Sequence, residues 1–456
     1  MAGLAEQGHA EAVPVAEQAV AVSKADPYPG RDVLHAAALR TLADQYATAG
    51  RLAEAAHTAG QARDLYRHLR NATPSGFAGD LGYVSAMQAQ LLRELDPPRA
   101  LHAAQEAVGC YEALRRADPD RYLPVLVQTL QLRADCCEQA GRWTEAEPAW
   151  RRVVDMGQVL VAVDPRGQRP QQVWRLRRLA EALERVAHEY DTRRPTAAPG
   201  VWTQTVDTAM DAYQLSIQIT DVTAAKEESA ASALLLARLP DERPGAIQQR
   251  LHAAQHSANL YDELQQQQPD RFRANHACAL VWHARLLDQT GQRQQAIDRS
   301  AKALLEYRDV VQRQTGHHTG LAGAATVYAT LATDTDPLPF LQEAADAYHQ
   351  AITEGEDAAR PERARTHMLI ADKLAQRKNQ GRDTLTYSRA AVDEFIELAA
   401  DNIITYGQEA VEHLLRHAQH LEKHGYTEAS AFRHQARQIN EQLRAVRTDA
   451  DANDAP

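Results

Sequence analysis

Residues 137–150 read CEQAGRWTEAEPAW, and residues 287–300 read LDQTGQRQQAIDRS. In each, a run of helix formers stops at a glycine (Gly141, Gly291). A short polar turn follows, and Glu145-Ala146 or Gln295-Ala296 opens a second helical run. A glycine in the left-handed conformation ends a helix without a side-chain clash. The same phrase stands at Gly8 with Glu11-Ala12, Gly50 with Glu54-Ala55 and Gly425 with Glu428-Ala429, and a fainter copy at Gly381. Successive glycines lie 42, 91, 150, 90 and 44 residues apart, which makes one, two, three, two and one units of 42–50 residues. Self-similarity at that period predicts a helical repeat array.

Degraded copies fall where the spacing requires them. Pro97-Pro98, Pro244-Gly245 and Pro337 to Pro339 precede helical runs, and a fourth turn, after Asp191, is stretched by Pro195 to Gly200. A second mark closes the other helix of each unit: Asp26-Pro27, Asp118-Pro119, Asp164-Pro165, Pro269-Asp270 and Asp336-Pro337. Between the marks, apolar residues recur at helical steps, as in Val173, Leu176, Ala180, Leu183, Ala187 and Tyr190. A helix pair with one greasy face cannot bury it alone, so the pairs stack. The predicted fold is all-α: a right-handed superhelical solenoid of about ten antiparallel helix pairs over residues 1–447, the first pair incomplete. A soft break is expected near 191–200, and a disordered acidic tail over 448–456.

Gly141 followed by Ala146 and Trp150, and Gly291 followed by Ala296, resemble the tetratricopeptide-repeat family, in the long-unit variety abundant in actinobacteria. Gly50 with Ala55 fits too, with Ala59 in place of the aromatic. The likeness covers nearly the whole chain. It departs from the family in period, the standard unit being about 34 residues, and in lacking the usual first-helix Trp and Tyr. The resemblance implies a concave groove that binds peptide segments or partner domains, with no intrinsic catalysis. Residues 2–8 read as the end of a first helix, so an upstream domain or a partner is expected to cover that half-repeat.

Composition narrows the function classes. The formal charge is −11 and the pI about 6.0, which works against sequence-independent nucleic-acid binding. No basic start with an apolar run opens the chain and no apolar stretch reaches about 18 residues, so a cytoplasmic protein that does not span a membrane is expected. Cys110, Cys136, Cys137 and Cys278 lack metal-type spacing and read as reduced thiols. Phosphate-loop, dinucleotide, H-E-x-x-H and G-x-S-x-G motifs are absent, so no enzyme and no cofactor is expected. Asp401-Asn402…Thr405…Glu409 is only a scrambled likeness of a terpene-cyclase metal motif.

Two clusters remain. His413, His417, His420 and His424 share a helix face about 60° wide. That face is expected to look to solvent or groove, away from an apolar face of Val411, Leu414, Leu415, Ala418 and Leu421. No metal site is expected there, because a pair of such histidines needs further ligands and His434 is the one obvious addition. A metal- or small-molecule-responsive sensor built on this helix is the alternative function. The second cluster lies within 151–194, which holds ten Arg against six acids. Arg175, Arg178 and Arg185 fall on one side of a leading helix. Arginine forks clamp carboxylates, so they are candidates to dock an acidic peptide. Alternatively, this is a solvated face balanced by Glu181, Glu184 and Glu189. The leading expectation is a protein- or peptide-binding scaffold, the sensor or interaction part of a larger regulatory system.

Overall fold

The computed structural model describes residues 2–25, 30–73, 76–193, 198–219, 223–377 and 380–453. Side chains are described in all of these except 2–11, 192–193, 223–224 and 447–453. Among the described residues every regular element is helical. The chain divides into two compact units, Met1–Val186 and Ala187–Pro456. The first holds α1 (Ala2–Ala25), α2 (Arg31–Thr48), α3 (Leu52–Ala72), α4 (Ala78–Leu92), α5 (Pro97–Ala117), α6 (Pro119–Gln139), α7 (Trp143–Val163) and most of α8 (Pro165–Arg193). The second holds α9 (Ala198–Ser216), α10 (Thr223–Arg238), α11 (Ala246–Gln267), α12 (Pro269–Gln289), α13 (Arg293–Arg313), α14 (His318–Leu331), α15 (Leu338–Thr353), α16 (Arg360–Leu374), α17 (Gly381–Asp401), α18 (Ile403–Lys423) and α19 (Ala429–Asn453). Among the described residues, successive helices from α1 to α7 and from α9 to α19 pack on one another, as stacks of antiparallel pairs require. Even-numbered helices lead and odd-numbered helices trail, so among the described residues α2 to α19 alternate as nine leading and nine trailing helices after the trailing helix α1.

The turns within pairs follow from backbone chemistry. Gly50, Gly141, Gly291 and Gly425 have φ of 75°, 67°, 79° and 77°, in the left-handed region. At each, the residue after the glycine donates to a carbonyl five positions back, as Arg142 N does to Cys137 O at 2.8 Å and Gln292 N to Leu287 O at 2.8 Å. This 6→1 bond satisfies a carbonyl that the ending helix leaves open. The corners between pairs use one residue as both the end of one helix and the cap of the next. Asp118 sits at φ −143°, ψ 87°, with its carboxylate accepting from Arg121 N and Pro119 opening α6. Asp164 and Asn402 cap α8 and α18 through Gly167 N and Thr405 N. Asn402 is thus a helix cap, and Glu409 forms a two-pronged pair with Arg365 at 2.7 and 2.6 Å.

Small residues let the helices approach. Ala55, Ala59, Ala62, Ala146, Ala296 and Ala303 are at most 4% exposed, and Trp150 is wholly buried. In the second unit, a methyl group at Gly320 of α14 would overlap the Tyr307 ring of α13. Successive helices share one core: Met368, Val392, Leu414 and Phe432, from α16 to α19, belong to a single apolar cluster.

Charge also follows the repeat. Many long-range polar contacts join residues about one repeat apart: Arg40–Asp80, Arg67–Glu106, Arg152–Glu112, Lys302–Asp262, Arg308–Glu343, Arg365–Glu409 and Arg377–Asp336. Several arginines therefore tie one hairpin to the next.

Three expectations need correction. Gly8 is not a turn, because α1 runs unbroken from Ala2 to Ala25. A glycine inside a helix costs only about 1 kcal/mol, and the backbone hydrogen bonds on either side of Gly8 offset it. The tail expected to be disordered from Thr448 is helical as far as Asn453, since no breaker intervenes and each added residue closes another backbone bond. Residues 454–456 lie outside the described residues, as do Asp26-Pro27 and residues 194–197 of the expected break. The third correction concerns the histidines of α18.

Candidate binding groove

The leading helices of the first unit leave one long open depression, a cavity of about 850 Å³. On α4 and just beyond it, Tyr83, Met87, Gln90, Leu91 and Glu94 follow one helical stripe, and on α6 Val125, Gln128, Leu132 and Asp135 follow another. Asp44 and Ala47 of α2 form one wall and Trp174 of α8 the other. The inner stripes of these helices, such as Leu81, Val84, Ala89 and Leu92 of α4, are buried against the trailing helices. Helix α4 therefore buries one face in the array and turns a second, partly exposed stripe to the groove, with Met87 and Leu91 also packed against the core. Tyr83 and Leu95 remain 46% and 56% exposed. This second stripe was missed in the sequence, although Tyr83, Met87 and Leu91 at four-residue steps were its visible signal.

The polar groups in the groove are held from behind. Tyr83 Oη donates to Asp44 at 3.3 Å. Burial pushes the Asp44 carboxyl above its usual range, with Tyr83 and Arg40 acting the other way. Asp135 is likewise pushed up by burial, against the pull of Arg178 and Arg93. Beneath the far wall, Trp150 Nε1 donates to Glu138 at 2.6 Å, and Trp150 meets Trp174 edge-on at 5.4 Å.

The three candidate arginines have separate fates. Arg178 lies over Trp150 at 5.2 Å and pairs with Glu138, Glu181 and Asp135. Burial opposes its charge, and those three acids more than compensate. Arg175 is only 5% exposed and donates to the neutral side chains of Gln172 and Gln168 at 3.3 and 3.4 Å. Its Nε has no partner, and its side chain fills the space left by Gly157 of α7. Burial without a carboxylate drives its pKa down. Arg185 is exposed and lies over Trp143 at 5.6 Å. The structure does not gather the three into one clamp.

The histidines of α18 do not face outward. His413, His417 and His420 are 7%, 3% and 9% exposed, while Leu415, expected on the apolar side, is 40% exposed. His413 stacks on Phe395 of α17 at 4.4 Å, and His417 Nδ1 lies 2.8 Å from Ser388 Oγ. His420 Nε2 lies 3.0 Å from Asp372 of α16. His424 is exposed and packs beside Gly381. Each ring has a different neighbour, and burial holds His413 and His417 down at about 4. The physical reason is that a stacked helix meets its pair-mate on one side and the next repeat on another, so a neutral imidazole is used as a core group. Among the described residues, no group of three or more His, Cys, Asp or Glu is arranged to hold a metal ion. The four cysteines are free, and burial pushes the Cys136 thiol up to about 12. No helix among the described residues is long and apolar enough to cross a membrane.

These features define a tetratricopeptide-like helical repeat array with a groove on the leading helices of its first unit. No family model and no curated protein matches the chain. Among solved structures, it is similar to the apo form of RapI, at 8% identity and a TM-score of 0.46, over 90% of this chain and 98% of that one. It is also similar to a signal transduction ATPase with numerous domains and a tetratricopeptide-repeat sensor from Pyrococcus horikoshii, at 11% identity and a TM-score of 0.45. That match covers 86% of this chain and only 54% of the other, so this chain spans about half its length. BtubC from P. vanneervenii is similar over 59% of this chain and 92% of its own, at 17% identity and a TM-score of 0.36.

Proposed function

We propose that the chain is a non-catalytic scaffold whose first unit holds a segment of another protein in the groove of α2, α4, α6 and α8. The supporting observation is the groove itself. Partly exposed apolar residues, Tyr83, Met87, Leu91 and Leu132 among them, stand beside carboxamides and carboxylates at one open cavity of about 850 Å³. Recognition would come from a few apolar pockets with polar groups fixing the register. A dock for an acidic segment on Arg175, Arg178 and Arg185 is the less economical reading, since one of these is buried and another is already paired. We further propose that the array is of the long-unit variety. In this view it works in the cytoplasm as the interaction or sensor part of a larger regulatory system.

The test is selection of displayed random peptides on the native protein, followed by binding to a Leu91→Glu, Leu132→Glu variant with unchanged helix content. Selected peptides should lose about tenfold or more in affinity on the variant, a change of about 1.4 kcal/mol. Peptides that bind both proteins equally would place recognition outside the groove.

A further inference from the structure

The groove carries a charge sign opposite to the one the arginine-rich sequence suggests. Its lining includes three carboxylates, Asp44, Glu94 and Asp135, and one guanidinium, Arg93, which lies 3.7 Å from the exposed Glu94 carboxylate, so the acids exceed the bases by two. The nearby Arg178 is held by Glu138, Glu181 and Asp135. Asp44 stands on α2, Glu94 just beyond α4 and Asp135 on α6, so the acids bracket the apolar stripe of Met87, Leu91 and Leu132. We propose that the groove's occupant is an extended, cationic peptide segment, with Lys or Arg side chains about six residues apart flanking apolar ones. This rests on the groove reading above and names its partner's chemistry.

The spacing comes from the packing. Helices α2 and α4 are joined by Arg40–Asp80 and Tyr83–Asp44, and α4 packs on α6. Neighbouring helix axes lie about 8–10 Å apart, so α2 to α6 is about 16–20 Å. An extended chain, rising about 3.3 Å per residue, crosses that in five or six residues, and residues six apart project to the same side. Gln90, Gln128 and Gln131 line the groove between the acids. A carboxamide both donates and accepts, which suits the free N–H and C=O groups of an extended backbone and is wasted on a helix. Burial pushes Asp44 and Asp135 up, and an incoming cation would favour their charged forms and offset that cost.

The test uses three fluorescein-labelled peptides of one apolar sequence, carrying two Lys, two Gln or two Glu about six residues apart, measured by anisotropy on the full chain. The Lys peptide should bind about tenfold tighter than the Gln twin and the Glu twin more weakly than both, with the gaps closing at about 0.5 M salt. Asp44→Asn and Glu94→Gln should each move the Lys peptide about threefold or more toward its Gln twin. Asp44 is half-buried and Glu94 is 80% exposed, so the second variant guards against a folding defect in the first. A Glu twin that binds best, or a Lys peptide indifferent to both variants, overturns the inference. If Lys and Gln twins bind equally and both are lost on Leu91→Glu, Leu132→Glu, the cationic inference fails while the groove reading stands. If none of the three binds, the inference also fails, and the displayed-peptide selection decides the groove reading separately.

Discussion

Acid should loosen the second unit well before its carboxylates titrate. Burial holds His283, His413 and His417 down at about 4, from an ordinary 6.5. All three are at most 7% exposed. Arg299 pushes His283 further down; Arg416 and Arg365 do the same to His413, against Glu409 and Glu412, and Arg389 and His420 to His417, against Asp393. Between 6.5 and about 4 the unfolded chain binds more protons than the folded one, so stability rises with pH. The contribution is complete above the unfolded value and is lost as pH falls toward the folded one. At pH 5 the loss is about 2 kcal/mol for each ring and about 6 kcal/mol for the three, against a typical domain stability of 5–15 kcal/mol. His256 and His367, also lowered by burial, add in the same direction. Asp211, raised by burial and by Asp207, acts oppositely, but one carboxylate does not reverse five histidines. Urea unfolding at pH 7.5 and 5.0, with hydrogen exchange followed at α12 and α18, measures the effect. His413→Leu, which keeps an apolar group against Phe395, should flatten the pH dependence by about 2 kcal/mol. Protection at α18 that is equal at the two pH values, after correction for intrinsic exchange, would refute neutral burial.

Two glycines of α14 should behave oppositely. Gly320→Ala meets the Tyr307 ring and should cost about 1–3 kcal/mol, whereas Gly323→Ala meets nothing within 4 Å and should stabilise by about 0.5–1 kcal/mol; thermal midpoints report both. Arg178→Ala strands Glu138 and Asp135 and should cost about 3–5 kcal/mol, while Arg185→Ala on the exposed side should stay within about 0.5 kcal/mol; equal urea midpoints would contradict the internal role of Arg178. Arg175→Met should be neutral or stabilising, because a buried guanidinium without a carboxylate gives way to a group of similar length; a loss above about 2 kcal/mol by denaturant titration would show that its glutamine contacts matter more.

The groove and the fate of the charged clusters were much less legible in the sequence than the repeat. Arg178 and Glu138 stand 40 residues apart, and nothing local marks them as partners. Arg175 and Arg178 share a helix and a residue type, yet one meets Gln172 and the other Glu138. For α18, one apolar stripe was taken as its whole buried surface. The helix in fact buries Val411 and Leu414 together with His413, His417 and His420, because neighbours cover it from more than one side.

What the amino-acid order determined by itself was the punctuation. Gly50, Gly141, Gly291 and Gly425 take the left-handed conformation, and Asp118, Asp164 and Asn402 cap the helices that follow. These are local events, decided by a missing Cβ or by a side-chain oxygen three residues from the amide it meets. Repeated at intervals of 42–50 residues, they fix a series of helix hairpins. Which face of each helix is covered, which arginine finds an acid and where an apolar stripe stays open were decided only by tertiary structure. Those outcomes depend on pairs about one repeat apart, and burial makes a charge, an imidazole or a leucine stable or costly only once the neighbouring hairpin is in place.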